Sequence, residues 1–403
     1  MIVVIGAGAA GIVAAIFARA TGRPVRLLDR TSDGGRKILI SGGGRCNILP
    51  SALQPERFVT DSPAHVLRGM LRSWPLSEQR RFFEEEVGIP LALEADTGKL
   101  FPRSNRARDV RDGLLGLADR RGVEFHGNTT VRNIAPTHGG QWRVETSQGS
   151  LDATAVVLAT GGLSVPGTGS DGAGLRWAES LGHQMHAQYP ALTPLTGATP
   201  GNVVLAGISL PVRIRARVAT RTTESSGGFL FTHKGYSGPS VLDISHVVTR
   251  GGAADLRVRW INRDVAEWEQ DLAASSGKVV SVVAKWLPER LAQALCADAD
   301  IPDDRRLSEL RRTERIALVE RLISWRMPVT GDEGYKKAEV TGGGVALTDV
   351  DPRTLESVRH RGLFLCGELL DAFGPIGGYN FAWAWATGRA AGLGASGASS
   401  TSS

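Results

Sequence analysis

The sequence predicts an α/β protein in which a domain built on a parallel sheet is interrupted by a β-rich, barrel-like domain and a small helical insert. Three features predict it. An apolar run at the N-terminus passes through a glycine cluster into an alanine-rich stretch and then a second apolar run, which is the order of a βαβ unit. A stretch in the middle alternates strictly between apolar and polar residues, the two-residue period of a half-buried strand. Near the C-terminus an apolar run, a glycine-rich loop and a helical pattern follow one another again.

Taken in order, residues 2–5 read as a buried strand, Gly11 to Thr21 as a helix, and Pro24–Leu28 as a second strand ending at Asp29. A helical stretch over Ala64–Glu86 precedes an arginine-rich segment from Lys99 to Arg111. Val123–Phe125, Thr130–Ile134, Trp142–Thr146 and Ala153–Ala159 read as short strands. From Pro190 the pattern changes, with Val212–Val218, Gly228–Thr232 and Asp255–Ile261 as strands. Val279–Leu295 and Arg311–Trp325 read as helices of a solvated insert. Gly362–Cys366 is a last strand and Phe381–Leu393 a last helix. The expected domains are 1–190 with 338–394, a β-rich domain of 191–262 with 326–337, a helical insert 263–325, and a disordered tail 395–403.

At 403 residues the chain suffices for about two or three domains. Its 50 glycines exceed the usual share of about 7%, and they cluster between apolar runs as ligand-approaching loops do. Cys46, Cys296 and Cys366 form neither a disulfide framework nor a zinc pattern, so a reducing, cytoplasmic setting is expected and no metal is assigned. The first residues read as a strand rather than a signal peptide, and no apolar run approaches the ~18 residues of a membrane span. The net charge of +6 is moderate.

Gly6-Ala-Gly-Ala-Ala-Gly11 matches G-x-G-x-x-G between a strand and a helix, with Asp29 eighteen positions beyond Gly11. Gly6 makes the tight turn, Gly8 lets the backbone approach a pyrophosphate, and Gly11 packs helix on strand. The helix N-terminus, entered through Ala9 and Ala10, offers N–H groups to phosphate, and Asp29 suits ribose hydroxyls. This is a Rossmann-like dinucleotide site, and the motif alone leaves FAD and NAD open. The far end favours FAD: Gly367, Glu368, Asp371, Gly377, Gly378, Tyr379 and Asn380 lie between a strand and a helix. A helix N-terminus there stabilises the charge a flavin gains at N1/O2 on reduction. Asp371 suits the ribityl chain. Ala159, Thr160, Gly161 and Gly162 end a strand that passes beneath the cofactor. In the loop after Asp29, Arg36 and Lys37 neutralise pyrophosphate charge, while Ser41, Gly42, Gly44, Arg45, Cys46 and Asn47 lie against the flavin ring. Arg30, Gly35 and Val131 complete the expected cofactor surface.

Lys37–Asn47, Ala159–Gly162 with Gly169–Gly172, Leu230–Pro239, Ala338–Val345, Gly367–Asp371 and Gly377–Asn380 together resemble the BaiN/RdsA-type bacterial NAD(P)/FAD-dependent oxidoreductases. The resemblance runs from residue 1 to about 392. It implies a glutathione-reductase-like FAD domain, and reduction of an unsaturated bond by NAD(P)H. For some members it implies a uridine of ribosomal RNA as substrate, giving dihydrouridine. The sequence departs from the family pattern at Phe373–Ile376 and at Ile48–Pro50.

Arg213, Arg215 and Arg217 share one strand face, and Arg257 and Arg259 repeat the spacing. They form either a phosphate track for ribosomal RNA or a solvated strand face. Cys46 is the first candidate proton donor, followed by Tyr379 and His233, and Lys37 is a further candidate catalytic residue. No second G-x-G-x-x-G follows a strand, so NAD(P)H is expected as a transient electron donor. Two other classes stay open: an amine-oxidase-like flavin oxidase making hydrogen peroxide, and a non-catalytic flavin-dependent RNA-binding or redox-sensing protein.

Overall fold

Ile2–Ile5 is apolar throughout because it lies at the centre of a parallel sheet, where both faces are covered. In the computed structural model, which describes residues 1–197, 201–251 and 254–397, this sheet has five strands. Their order is Leu363–Leu365, Ala155–Leu158, Ile2–Ile5, Val25–Leu28 and Val123–His126, every pair parallel. The first strand thus borders strands drawn from near and far along the chain, and its C-terminal end delivers the glycine motif.

The opening helix, Ala9–Ala18, is rich in alanine for a reason visible in its neighbour. The closing helix, Tyr379–Ser396, packs on it through Gly388 and Gly392. A Cβ at Gly388 would stand 2.4 Å from the Ala10 carbonyl oxygen, and one at Gly392 would stand 2.3 Å from that of Ala14. Backbone meets backbone here, so only small residues fit on either side.

Three smaller sheets surround this core. Leu49–Pro50, Lys99–Pro102 and Leu91–Glu94 form one; Val131–Pro136, Trp142–Thr146 and Gly149–Ala153 form another; Met185–Ala191 pairs with Val340–Val345. The 142–146 strand alternates buried and exposed, with Trp142 buried and its indole N–H donating to Arg361 O at 3.1 Å.

The chain falls into two compact units, Met1–Pro190 with Glu339 onward, and Ala191–Ala338. The second holds a seven-stranded antiparallel sheet whose edge strands, Trp325–Arg326 and Val329–Asp332, are separated in the chain only by Met327 and Pro328. Two linking residues cannot span a flat sheet of that width, so the sheet curls toward closure. Phe229, Phe231, Tyr236 and Trp260 pack inside it. The helices Val265–Ala274, Val279–Val283, Glu289–Asp298 and Arg312–Ser324 share that core through Trp268, Val283, Leu295 and Leu318. The expected solvated insert is therefore packed on the sheet as part of the same unit.

Several boundaries differ from expectation. The helical stretch 64–86 breaks into Ala64–Arg72 and Leu76–Arg81, the latter continued by a wide turn over Phe82–Val87. Pro75 lacks an N–H and pushes Trp74 out of helical geometry. Pro288 likewise divides 279–295 in two. The closing helix runs through Ala395 and Ser396 to a left-handed Gly397 (φ 78°), so that part of the expected tail is ordered. Residues 398–403 lie outside the described residues.

Replacing a helix-interior glycine by alanine ordinarily stabilises by about 1 kcal/mol. Gly392→Ala is expected to do the reverse, lowering stability by about 1–3 kcal/mol through backbone overpacking. A urea-denaturation midpoint equal to or above the parent's would refute this packing.

Candidate functional site

The three motif glycines do different physical work. Gly6 (φ +100°) would place a Cβ 2.5 Å from Ala159 O, and Gly11 would place one 1.8 Å from Gly6 O. A Cβ on Gly8 would meet nothing within 4 Å, because Gly8 borders a cavity of about 580 Å³. Gly8 is also the N-cap of the opening helix and supplies no side-chain cap, so the first-turn N–H groups remain for an anion. Asp29 stands beside them. Its Oδ2 accepts from Ala7 N at 2.6 Å, and its Oδ1 accepts from Thr31 N at 2.7 Å and Thr31 Oγ1 at 2.6 Å. Those bonds orient a carboxylate that keeps lone pairs for a diol.

The loop after Asp29 folds into a short helix, Arg36–Ile40, and a tight turn, Ser41–Gly44. Gly42 (φ +56°) and Gly43 (φ +68°) make that turn feasible. Ion pairs hold its cations: Arg36 with Asp33 at 2.9 Å, and Arg45 with Glu94 at 3.1 Å, the guanidinium lying 4.1 Å from the Phe101 ring centroid. Arg30 pairs with Asp171 across the cavity rim. Lys37 Nζ donates to Glu368 Oε2 and Ser164 Oγ, each at 2.7 Å. Glu368 Oε1 accepts from Ser164 Oγ at 2.5 Å and Thr341 N at 2.9 Å. Burial alone would raise the Glu368 carboxyl, but Lys37 and these donors hold it below the usual carboxylate range. Next to Ser164, Val165 sits at φ +49° immediately before Pro166, a strained conformation for a β-branched residue.

At the far end, Gly377 (φ +122°) and Gly378 (φ +91°) enter the closing helix, whose N-cap also lacks a side-chain partner. A Cβ on Gly378 would lie 2.5 Å from Leu49 C. Asn380 pins the preceding loop, its Oδ1 accepting from Gly374 N and its Nδ2 donating to Gly374 O, both at 2.9 Å. The Asn47 amide fits between Gly378 N at 3.0 Å and Leu49 O at 3.2 Å.

Most residues singled out in the sequence meet at this one cavity. Gly6, Gly8, Ala9, Ala10, Asp29, Arg30, Gly35, Arg36, Lys37, Ser41, Gly42, Arg45, Asn47, Val131, Ala159, Thr160, Gly161, Gly367, Glu368, Gly377, Gly378 and Asn380 all line it. Six others stand outside the lining. Gly11 serves helix packing, Gly44 (φ +85°) shapes its turn, and a Cβ on Gly162 would strike Thr341 Oγ1 at 2.3 Å.

The other three have side chains held by contacts away from the cavity. Cys46 is fully buried beneath its loop, and burial, against a hydrogen bond with Ser41, pushes its thiol up to about 12, the opposite of the acidified thiol expected from the sequence. Tyr379 is 5% exposed and packs against Phe58, with the Arg57 guanidinium over its ring. Asp371 is 1% exposed, and its Oδ2 accepts from Thr60 Oγ1, Asp61 N, Ser62 N and Ser62 Oγ at 2.9–3.0 Å. That carboxylate fastens the 60–62 segment, and burial raises its pKa. Thr31, Lys99, Phe101, Val165 and Trp177 line the cavity unannounced. Thr31 alone had a local signal, a hydroxyl two residues after the acid.

In the Ala191–Ala338 unit, Arg213, Arg215 and Arg217 are exposed on Ser209–Val218, opposite Arg259, Arg257 and Asp255. Arg215 pairs with Glu224 at 2.7 Å, and Arg257 pairs with Asp255 at 3.0 Å. His233 is exposed at a turn of the same unit.

Residues 1–394 match the family described as HI0933-like protein Rossmann domain. The chain is 34% identical to a ribosomal RNA dihydrouridine synthase of Escherichia coli K12, covering 96% of this chain and 95% of that protein. It is 30% identical to a 3-dehydro-bile acid delta(4,6)-reductase of Clostridium scindens, covering 96% and 97%. A 3-ketosteroid delta1-dehydrogenase from Sterolibacterium denitrificans shares the fold, with a TM-score of 0.51, 14% identity, and coverage of 98% and 99%. Among the described residues no helix is long and apolar enough to cross a membrane.

Lys37→Met leaves the Glu368 carboxylate without its cation and is expected to lower stability at pH 7 by about 2–3 kcal/mol. The lowered pKa means the pair stabilises above the ordinary carboxylate value, and that contribution disappears as pH falls through Glu368's own lower value. The gap between variant and parent therefore narrows below about pH 4. A gap unchanged from pH 7 to pH 3 in urea titrations would contradict the pairing. Together with a cavity cut from the first and last helices, these likenesses identify the chain as a member of the HI0933-like family of FAD-dependent oxidoreductases.

Proposed function

We propose that this chain holds FAD in the cavity between the two helix N-termini and uses NAD(P)H to reduce a carbon–carbon double bond conjugated to a carbonyl. A uridine of ribosomal RNA is the first candidate substrate. Bound FAD supplies hydride transfer between nicotinamide and substrate. The first-turn N–H groups after Gly8 bind its pyrophosphate, and Asp29 orients the adenosine ribose. Arg36 and Arg30 offset phosphate charge. Lys37, gripped by Glu368 and Ser164, keeps a third N–H and is the group we propose to hold a proton at the cavity wall. The open space at Gly8 supports the cofactor assignment most directly, since any side chain there would fill the cradle.

One observation carries the RNA reading. Arg213 faces Arg259, and Arg215 faces Arg257, directly across an antiparallel pair. Arg215 and Arg257 have carboxylate partners in Glu224 and Asp255, whereas Arg213 and Arg259 have no ion pair among the described residues, and like charges so placed favour a polyanion alongside. Alternate residues on a strand lie about 6–7 Å apart, suited to successive phosphates. The similarity to the Clostridium scindens protein favours a second reading, a small conjugated ketone as substrate. An amine would serve as reductant only for an oxidase.

Three measurements separate these readings. The yellow protein, kept anaerobic, is expected to bleach with NADPH or NADH and not with an amine; bleaching by an amine alone would overturn the reductase. Ribosomal RNA from a deletion strain is expected to lose dihydrouridine, and unchanged content would remove the uridine proposal. The triple variant of Arg213, Arg215 and Arg217 to alanine is expected to reduce the slope of log affinity against log salt for RNA by about 2–3. An unaltered slope would return these arginines to a solvated face.

A further inference from the structure

The cavity is bordered by five cationic side chains: Arg30, Arg36, Lys37, Arg45 and Lys99. Four have a carboxylate partner, namely Asp171, Asp33, Glu368 and Glu94 respectively. Lys99 has neither an ion pair nor a side-chain hydrogen bond among the described residues, although a natural partner is near. Glu94 lies directly across the ladder from it. That carboxylate is already engaged, Oε1 with Arg45 at 3.1 Å and Oε2 with Thr97 Oγ1 at 2.6 Å.

The backbone of Lys99 is fixed on both sides, paired with Glu94 on one strand and Pro50 on the other. Its Cε lies 3.8 Å from where a Cβ on Gly377 would stand. Gly377 and Gly378 lead into the closing helix, whose N-terminus has no side-chain cap. An ammonium that shares the field of Glu94 with Arg45 but has no ion pair or hydrogen bond of its own among the described residues, and a bare helix N-terminus, thus converge on one corner of the cavity. Both favour negative charge at the same place.

We propose that Lys99 holds the negative charge that the pyrimidine edge of FAD acquires on reduction. The inference rests on the FAD reading above. With FAD bound, a nicotinamide nucleotide oxidised at this site would pass one hydride to the flavin N5, with no proton following at N1. Lys99, with the N-terminus of the closing helix, would hold the single negative charge that this leaves over N1 and the C2 oxygen.

The test is the midpoint potential of the bound FAD, measured by anaerobic reduction against reference dyes, in Lys99→Gln, Lys99→Met and Lys99→Arg. The neutral variants are expected to take up equimolar FAD yet disfavour its reduced form about tenfold or more, a fall of about 30 mV for a two-electron couple. Lys99→Arg keeps the charge and is expected to stay near the parental potential. Should the glutamine variant not fold, the methionine variant, which preserves the apolar stem, carries the measurement. Neutral variants with the parental potential would overturn the proposal, and so would a loss confined to KM for the substrate. A parent protein that refuses FAD would instead remove the reading on which it rests.

Discussion

The contact of Gly388 and Gly392 with the carbonyl oxygens of Ala10 and Ala14 governs the arrangement of everything else in the cavity. Two helices separated by more than 350 residues of chain approach until backbone touches backbone. Each begins at a glycine N-cap that offers no side-chain partner to its first turn. Both bare N-termini therefore open on one space, where their partial positive charges add. A larger residue at any of these four positions would separate the helices and split the cavity.

The electrostatics follow from that geometry. A site meant for phosphates and a ring that gains electrons needs positive potential, yet unpaired cations in a half-buried cleft oppose folding. The chain resolves this by pairing most of its cations and leaving the helix ends and Lys99 to present charge. Glu368 illustrates the balance: it is largely withdrawn from solvent yet held below the usual carboxylate range because Lys37, Ser164 and Thr341 surround it with donors. The same group links the 37, 164, 341 and 368 segments, so the pair that tunes the cavity also ties its walls together.

Features set by local rules were legible in the sequence. The βαβ opening, the distinct tasks of Gly6 and Gly11, and Asp29 at its strand end depend on spacing, backbone conformation and the period of apolar residues, all of which are written locally. The alternation of Arg213, Arg215 and Arg217 with buried neighbours was equally plain, because a strand's two faces follow from its period. What escaped depends on tertiary packing. Cys46 lies in the right loop but points beneath it, and the resulting desolvation, invisible in a string of residues, reverses the expected acidity. Asp371 sits five residues beyond Cys366 in a promising loop, yet its carboxylate is claimed by residues 60–62, which no spacing rule connects to it. Lys99 reaches the cavity only because Leu49–Pro50 and Leu91–Glu94 flank its strand.

Enclosure of one flavin by the first and last helices of this chain is the central expectation. It is measured most directly as the ratio of flavin to protein absorbance after purification and incubation with excess FAD. Equimolar cofactor is expected to be retained through gel filtration. Protein that stays colourless after that treatment, while folded by circular dichroism, would contradict it.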